Sequence, residues 1–192
     1  MEQVRSFIAV ELPAELKAEL HHLEDGLKLG NQSFVKWVDP YGIHLTLKFL
    51  GNVAANRIDE IIGVMQDTTR GITSFHLDVG ELGVFPNLRR VQVAWIGLKG
   101  DVEKLRLLQQ RIESGLVPLG FAPESRKFTP HLTLARLRNQ ASPSERQRFG
   151  GLITSTNFEA IHGIEVDCLS LMRSQLTREG AIYSRISTVE LK

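Results

Sequence analysis

The chain carries the tetrapeptide His-Leu-Thr-Leu twice, as His44-Leu-Thr-Leu and as His131-Leu-Thr-Leu. Side chains on a β-strand alternate between its two faces, so each histidine shares a face with its threonine and the leucines take the other face. We expect the leucines to anchor each strand to a hydrophobic core. Two imidazoles and two hydroxyls are then left to line a polar cleft.

The two copies lie 87 residues apart, and the same shift aligns further apolar positions. It places Leu77 on Ile164, Val79 on Val166, Leu82 on Leu169 and Ala94 on Ala181. An internal duplication is the economical explanation. The predicted helix at 54–69 has only the short polar segment 142–149 as its counterpart. Two copies related by a pseudo-twofold axis would bring the repeated strands face to face.

Local patterning predicts an alternation of helices and strands. Strands are predicted at 4–12, 34–38, 43–50, 75–85, 90–96, 128–137, 162–172 and 181–186, the last two separated by a turn at 177–180. Helical spacing predicts helices after Pro13, over 54–69, from Val102 and, shortest, over 142–149. We expect an α+β fold in which residues 1–192 form a single bilobal domain. Each lobe is a mostly antiparallel sheet with flanking helices, and the active-site cleft lies between the lobes.

Composition restricts the class of protein. Hydrophobic residues make up 42% of the chain and charged residues 23%, as in compact globular proteins. The net charge of +1 means that any anion site must be local. The single cysteine, Cys168, excludes an intrachain disulfide and a cysteine-based metal site. No apolar window is long enough for a membrane span or a signal peptide, so we expect a cytoplasmic protein.

The repeated histidines suit acid–base catalysis at phosphorus. Imidazole has a pKa of about 6.5, so one ring can act as a base while the other acts as an acid. In-line displacement places the attacking and leaving oxygens on opposite sides of phosphorus, which matches a base on one lobe and an acid on the other. The hydroxyls of Thr46 and Thr133 would donate to the non-bridging phosphate oxygens. A lone strand histidine is usually structural, and the repetition is what favours function.

A metal site is the competing use of two histidines. Catalytic zinc usually has three protein ligands, and threonine is a poor third ligand. Neither His44 nor His131 is accompanied by a His-Glu-x-x-His motif or a cluster of carboxylates. We expect no metal and no cofactor. Nucleophilic catalysis is also disfavoured, because Cys168 lies in an alternating apolar segment and no Gly-x-Ser-x-Gly motif is present.

At these residues the chain resembles the RNA 2′,3′-cyclic phosphodiesterases, also called 2′-5′ RNA ligases, of the two-histidine phosphoesterase superfamily. The matching segments are Arg5-Ser-Phe-Ile-Ala-Val-Glu-Leu-Pro, Ile43-His-Leu-Thr-Leu-Lys-Phe-Leu-Gly, Phe128-Thr-Pro-His-Leu-Thr-Leu-Ala-Arg, and Ser174-Gln-Leu followed by Gly180 and Tyr183. The resemblance implies metal-independent hydrolysis of a terminal RNA 2′,3′-cyclic phosphate to a 2′-phosphate, with reversible 2′-5′ ligation. It also implies that His44 donates a proton to the departing 3′ oxygen and that His131 accepts the proton of water.

Four further residues are candidate substrate contacts. Lys48 shares the parity of His44, which predicts the cleft face, although a solvated lysine at a strand end is the alternative. Arg136 matches a family arginine, but its parity is opposite to that of His131, so a bulge or the end of the strand must turn it inward. Phe7 and Tyr183 match family aromatics that could border a nucleotide, with core packing as the alternative for Phe7.

Two other functions stay open. The same histidine pair could act on a small cyclic nucleotide, or the protein could be a non-catalytic module that binds RNA ends. The presence of both histidines and both threonines disfavours the second alternative, because binding a phosphate does not require a matched acid and base. The expected partners are RNA ends or nucleotides carrying a 2′,3′-cyclic phosphate, with no membrane contact and a monomeric protein.

Overall fold

The structure is a computed structural model and describes residues 2–28, 32–177 and 180–192. Within these residues the chain forms the strands β1 (Gln3–Glu11), β2 (Val35–Trp37), β3 (His44–Ala54), β4 (Phe75–Phe85), β5 (Val93–Gly100), β6 (His131–Leu137), β7 (Ile164–Val166), β8 (Cys168–Leu176) and β9 (Ala181–Glu190). The helices are α1 (Ala14–Leu27), α2 (Ile58–Thr69), α3 (Val102–Leu116) and α4 (Pro143–Ser155). The turn predicted at 177–180 includes two positions, 178 and 179, that lie outside the described residues.

Two antiparallel sheets form the framework of the molecule. Sheet A is four-stranded with the order β3-β1-β8-β9, and sheet B is five-stranded with the order β2-β6-β5-β4-β7. The predicted α+β fold, with one mostly antiparallel sheet in each lobe, is confirmed. The strands predicted at 34–38 and 43–50 do not pair with each other, because β2 belongs to sheet B and β3 to sheet A.

Each sheet combines strands from both halves of the chain. In sheet A, β1 from the first half of the chain lies between β3 and β8, and β8 comes from the second half. In sheet B, β4 from the first half lies in the same sheet as β6 from the second half. β5 lies between β6 and β4 as β1 lies between β3 and β8, and each is followed by a helix. β5 therefore occupies the position in sheet B that β1 occupies in sheet A. The 87-residue shift aligned Ala94 of β5 with Ala181 of β9, so the shift does not match structurally equivalent strands at this point.

Helix α4 is longer than its sequence pattern predicts. It begins with a capping box in which the Ser142 hydroxyl and the Glu145 side chain satisfy each other's backbone N–H groups. The predicted end near Phe149 is wrong, because Phe149 and Ile153 are both buried and their packing carries the helix through two glycines to residue 155. A side chain at Gly150 would approach the neighbouring segment closely, with its Cβ 2.9 Å from Val91.

No helix in the described ranges is long and apolar enough to cross a membrane.

The leucines of both repeats anchor their strands as expected. Leu45, Leu47, Leu132 and Leu134 are at most 3% exposed and belong to one hydrophobic cluster that both sheets share. The histidines and threonines of the repeats are half-buried on the opposite strand faces. Cα atoms of β3 and β6 approach within 8 Å of each other, so the two repeated strands meet where the lobes join.

Candidate active site

The two repeated histidines are held in the same way. His44 Nδ1 donates a hydrogen bond to the carbonyl oxygen of Gly42 at 2.8 Å, and His131 Nδ1 donates to that of Thr129 at 2.7 Å. A carbonyl oxygen can only accept, so each neutral ring carries its proton on Nδ1 and a lone pair on Nε2. The carbonyl lies two residues before the histidine in both lobes. Each Nε2 is therefore the atom that can exchange a proton with a substrate.

The surroundings shift the pKa of both imidazoles in the same direction. Burial lowers the pKa of His44 and of His131 because it penalises the charged ring, while the hydrogen-bonded carbonyl oxygen opposes the shift. The two sites differ in their neighbouring charges. Lys17 lowers and Glu11 raises the pKa of His44, whereas Arg136 acts on His131 and lowers its pKa further. An uncompensated cation thus disfavours protonation of His131.

The threonines of the repeats supply hydroxyls on the same faces as the histidines. Thr46 and Thr133 are both half-buried. In the part of the chain that the structure describes, neither hydroxyl has a hydrogen-bond partner. Both are therefore available as donors to a bound anion.

A β-bulge at the last leucine of each repeat reverses the parity of the residues after it. In the pairing of β1 with β3 the extra residue is Leu47, and in the pairing of β5 with β6 it is Leu134. The residues just after the bulges, Lys48 and Ala135, are consequently buried. The next residues, Phe49 and Arg136, are exposed on the face that carries the histidines.

The expectation that Lys48 lies on the cleft face is wrong, because the bulge turns its side chain inward. The side chain is 3% exposed. Its Nζ donates to Glu113 Oε2 and to the carbonyl oxygen of Ala122, each at 2.8 Å. Lys48 therefore ties β3 to α3 and to the loop after that helix.

We expect Lys48→Ala to destabilise the protein while the folded fraction keeps its activity. Removing the lysine leaves Glu113, whose side chain is 14% exposed, without its counter-charge. Breaking a fully buried pair costs about 3–5 kcal/mol, and the partial exposure of Glu113 places the expected cost below that range. The urea concentration at the unfolding midpoint should fall accordingly. Lys36→Ala, which removes an exposed lysine on β2, is the matched control and should leave that midpoint nearly unchanged. A loss of kcat with an unchanged midpoint would instead place Lys48 in the active site.

Arg136 lies on the cleft face beside His131. The bulge at Leu134 supplies the change of parity that its position in the sequence requires. Among the residues that the structure describes, its guanidinium group has no hydrogen-bond or ion-pair partner. Its positive charge contributes to lowering the pKa of His131. The guanidinium group is therefore available to an anion bound between the lobes.

An aromatic cluster surrounds His44. Phe7 stacks on the imidazole at 4.5 Å and 28°, and Tyr183 meets His44 edge-on at 4.8 Å. Phe49 lies 6.1 Å from Phe7 and is 60% exposed, whereas Phe7 is only 2% exposed. Phe7 therefore supports the ring of His44 from beneath, and Phe49 offers free aromatic surface. Strand parity alone does not predict that Phe49 lies on the face of His44. The 87-residue shift aligns Phe49 with Arg136, which was a candidate substrate contact, and could have indicated it.

An ion pair that sequence patterning does not reveal lies next to His44. Glu11 is the cross-strand neighbour of His44. Arg185 donates from Nε and Nη2 to the two Glu11 oxygens at 2.7 and 3.1 Å, and Ser170 Oγ donates to Glu11 Oε1 at 2.6 Å. The Arg185 hydrogen bond is the main reason that the pKa of Glu11 is lowered, with Ser170 contributing. An ionised carboxylate is thus fixed beside His44.

His131 also has aromatic neighbours. Phe85 meets its ring edge-on, with centroids 5.1 Å apart and an angle of 85°. Trp95 stacks on Phe85 at 5.1 Å and 29°. Trp95 pairs with Thr133 across the strands, so these rings lie on the same face of sheet B as the histidine.

Other chemistries find little support in these side chains. Within residues 2–28, 32–177 and 180–192, no group of three or more histidine, cysteine, aspartate or glutamate side chains could hold a metal ion. Burial raises the pKa of the Cys168 thiol to about 11, so the thiol stays protonated at neutral pH and is a poor nucleophile.

The fold and this site together define a bilobal α+β protein that presents two equivalent histidine–threonine strands. The sequence profile of the LigT like Phosphoesterase family matches the chain twice, over residues 10–95 and 96–183. The chain belongs to this LigT-like phosphoesterase family.

Individual relatives cover nearly the whole chain. The RNA 2′,3′-cyclic phosphodiesterase of Methanothermobacter thermautotrophicus is 35% identical over 189 residues, which is 98% of this chain and 100% of the relative. The protein of the same name from Thermotoga maritima is 32% identical over 181 residues, covering 94% of this chain and 91% of the relative. The crystal structure of a Thermus thermophilus protein superposes with a TM-score of 0.78 at 25% identity over 97% of each chain. Escherichia coli LigT complexed with 3′-AMP has the same fold, with a TM-score of 0.77 at 23% identity over 99% of each chain.

Proposed function

We propose that this protein hydrolyses the terminal 2′,3′-cyclic phosphate of RNA to a 2′-phosphomonoester, acting as a monomer in the cytoplasm. The observation that carries the proposal is the matched setting of His44 and His131, each with Nδ1 bound to a carbonyl oxygen and Nε2 free. An acid and a base of this kind are what displacement at phosphorus requires. The names of the relatives support the choice of an RNA cyclic phosphate as substrate.

In the proposed mechanism, His131 acts as the base and His44 as the acid. Neutral His131 takes a proton from water on Nε2 as the water oxygen attacks phosphorus. The bond from phosphorus to O3′ breaks, and O3′ receives the proton from Nε2 of protonated His44, which leaves the phosphate on O2′. This assignment follows the resemblance to the family. Burial lowers the pKa of both rings, and the neighbouring charges agree with the assignment, because Arg136 lowers the pKa of His131 further while Glu11 opposes the effect of Lys17 at His44. Attack by an RNA hydroxyl in place of water would give 2′-5′ ligation.

The other polar groups of the cleft would bind the phosphate and the nucleoside. Thr46 and Thr133 would donate to the non-bridging oxygens, and Arg136 would pair with the anionic phosphate. Phe49 and Tyr183 offer aromatic surface on which the terminal base would stack, with Phe7 beneath them.

Product analysis on a short RNA that ends in a 2′,3′-cyclic phosphate tests this function. With EDTA present, we expect turnover to a 2′-phosphate, because the mechanism uses no metal. A 3′-phosphate product would contradict the assignment of the leaving oxygen. Binding of the RNA without turnover at any pH would favour the RNA-end-binding module. A higher kcat/KM for the cyclic mononucleotide than for the RNA would favour the small-substrate alternative.

A further inference from the structure

A groove at the edge of sheet B continues the aromatic surface beside His131. The rings of Phe85 and Trp95 lead away from the histidine in two steps of 5.1 Å. The indole of Trp95 lies across β4 over Gly83, where any side chain would overlap its six-membered ring. This glycine lets the indole reach the outer edge of β4, where the groove opens.

The groove is large enough for a small organic ligand. Its volume is about 480 Å³, within the range of ligand pockets in proteins. The indole provides a stacking surface, and the remaining lining is mostly polar. The lining includes Glu81, Trp95, Lys99, Thr154, Asn157 and Glu159.

The charges of the groove disfavour a phosphate and suit a neutral group. Lys99 Nζ lies 3.1 Å from a Glu81 carboxylate oxygen and 4.0 Å from one of Glu159, so two carboxylates surround one ammonium group. The carboxylates can accept hydrogen bonds from the amino groups of a base, and the Asn157 amide can donate or accept. A nucleoside without a phosphate on its 5′ carbon has the matching chemistry.

We propose that this groove binds the 5′-terminal nucleoside of a second RNA, whose free 5′ hydroxyl replaces water at His131. This inference rests on the proposed function, in which His131 is the base. Since the attacking and leaving groups lie on opposite sides of phosphorus, the attacking nucleoside belongs on the His131 side and the departing O3′ on the His44 side. The indole of Trp95, which lines the groove, would stack on its base.

The step needs no further reactant. His131 Nε2 takes the proton of the 5′ hydroxyl, the bond from O5′ to phosphorus forms, and the bond from phosphorus to O3′ breaks. O3′ takes the proton from His44, which leaves a 2′-5′ phosphodiester. The groove would therefore determine how much of the cyclic phosphate is transferred to a nucleoside rather than to water.

Fluorescence titration tests the binding site independently of catalysis. The chain has two tryptophans, so Trp37→Phe leaves Trp95 as the only indole. Trp37 packs against Phe149 of α4 and serves as the site of the control substitution. We expect 2′,3′-dideoxyadenosine to quench Trp95 saturably and its 5′-monophosphate to bind more weakly. Replacing Glu81 and Glu159 by glutamine should reduce the difference in affinity between the nucleoside and its monophosphate, because the negative charges that repel the phosphate are removed. No quenching of Trp95, or tighter binding of the monophosphate, would overturn the proposal even if the phosphodiesterase activity is present.

Product partition tests the role of the groove in transfer. With a cyclic mononucleotide and 2′,3′-dideoxyadenosine as acceptor, the ratio of dinucleoside ester to 2′-phosphate should rise with acceptor and saturate. Trp95→Ala should lower that ratio about 5- to 150-fold, the range expected for loss of one stacked base, and Trp95→Phe should restore part of it. Trp37→Phe should leave the ratio unchanged. A ratio that Trp95→Ala does not lower would overturn the proposal. A Trp95→Ala variant with a raised KM for an RNA cyclic phosphate and an unchanged product ratio would also overturn the proposal. The groove would then bind the RNA that carries the cyclic phosphate and not the acceptor.

Discussion

Replacing either His44 or His131 by alanine is expected to lower kcat for hydrolysis of an RNA 2′,3′-cyclic phosphate by about 10²–10⁴-fold. Each ring supplies one proton transfer, and no other imidazole of the repeat can take over, because each Nε2 is positioned by the carbonyl oxygen behind its own ring. The double variant should lose less than the product of the two single losses, since an acid without its base contributes little. Initial rates on a labelled RNA measure all three variants.

The matched control is His22→Ala, which removes an exposed histidine on α1. It should retain wild-type kcat, and the unfolding midpoints of all variants should stay close to that of the wild type. If both His44→Ala and His131→Ala kept full activity, the paired-histidine mechanism would be ruled out.

The same two groups set the expected dependence of rate on pH. Activity falls at low pH when His131 becomes protonated and falls at high pH when His44 loses its proton. Burial lowers both pKa values, so both limbs of the kcat/KM profile should lie at lower pH than free imidazole would place them. The negative charge of a bound cyclic phosphate raises both pKa values, so the kcat profile should be displaced toward higher pH.

Strand parity correctly predicted that the leucines of the repeats are buried. It predicted the wrong face for Lys48, the residue directly after the first repeat. Nothing in the alternation of residues 43–51 marks the bulge at Leu47, because bulges depend on backbone pairing with β1 and need no glycine or proline. For that reason Lys48 and Phe49 exchange faces relative to the prediction. The opposite parity of Arg136 predicted either a bulge or a strand end after the second repeat. The structure has a bulge there, and the first repeat has the equivalent bulge.

The exchange of strands between the halves was beyond prediction from sequence. β4 and β8 both carry apolar residues at alternate positions, such as Leu77 and Val79 in β4 and Leu169 and Leu171 in β8, and this alternation does not specify which sheet each strand joins. The choice is made by contacts between residues far apart in the chain, such as the pairing of Phe7 with Met172. The ion pair between Glu11 and Arg185 arises from the same exchange, and therefore no local pattern signals it.

Arg136→Gln is expected to lower kcat/KM about 10²–10³-fold, the loss typical of removing one donor to a developing anion. The guanidinium group has no partner among the described residues, so its interactions are available to the phosphate. Arg136→Lys should recover only part of the loss, because an ammonium group keeps the charge but not the two-pronged geometry. Arg148→Gln, on the exposed face of α4, is the control for loss of a positive charge elsewhere.

The pH profile separates this role of Arg136 from general support of the fold. The arginine lowers the pKa of His131, so its removal should raise that pKa. Because His131 must be neutral to act as the base, a higher pKa moves the acidic limb of kcat/KM toward higher pH, while the alkaline limb set by His44 stays in place. A loss of activity that left both limbs unmoved would assign Arg136 to structure. A shift of the alkaline limb alone would instead exchange the acid and base roles of the two histidines.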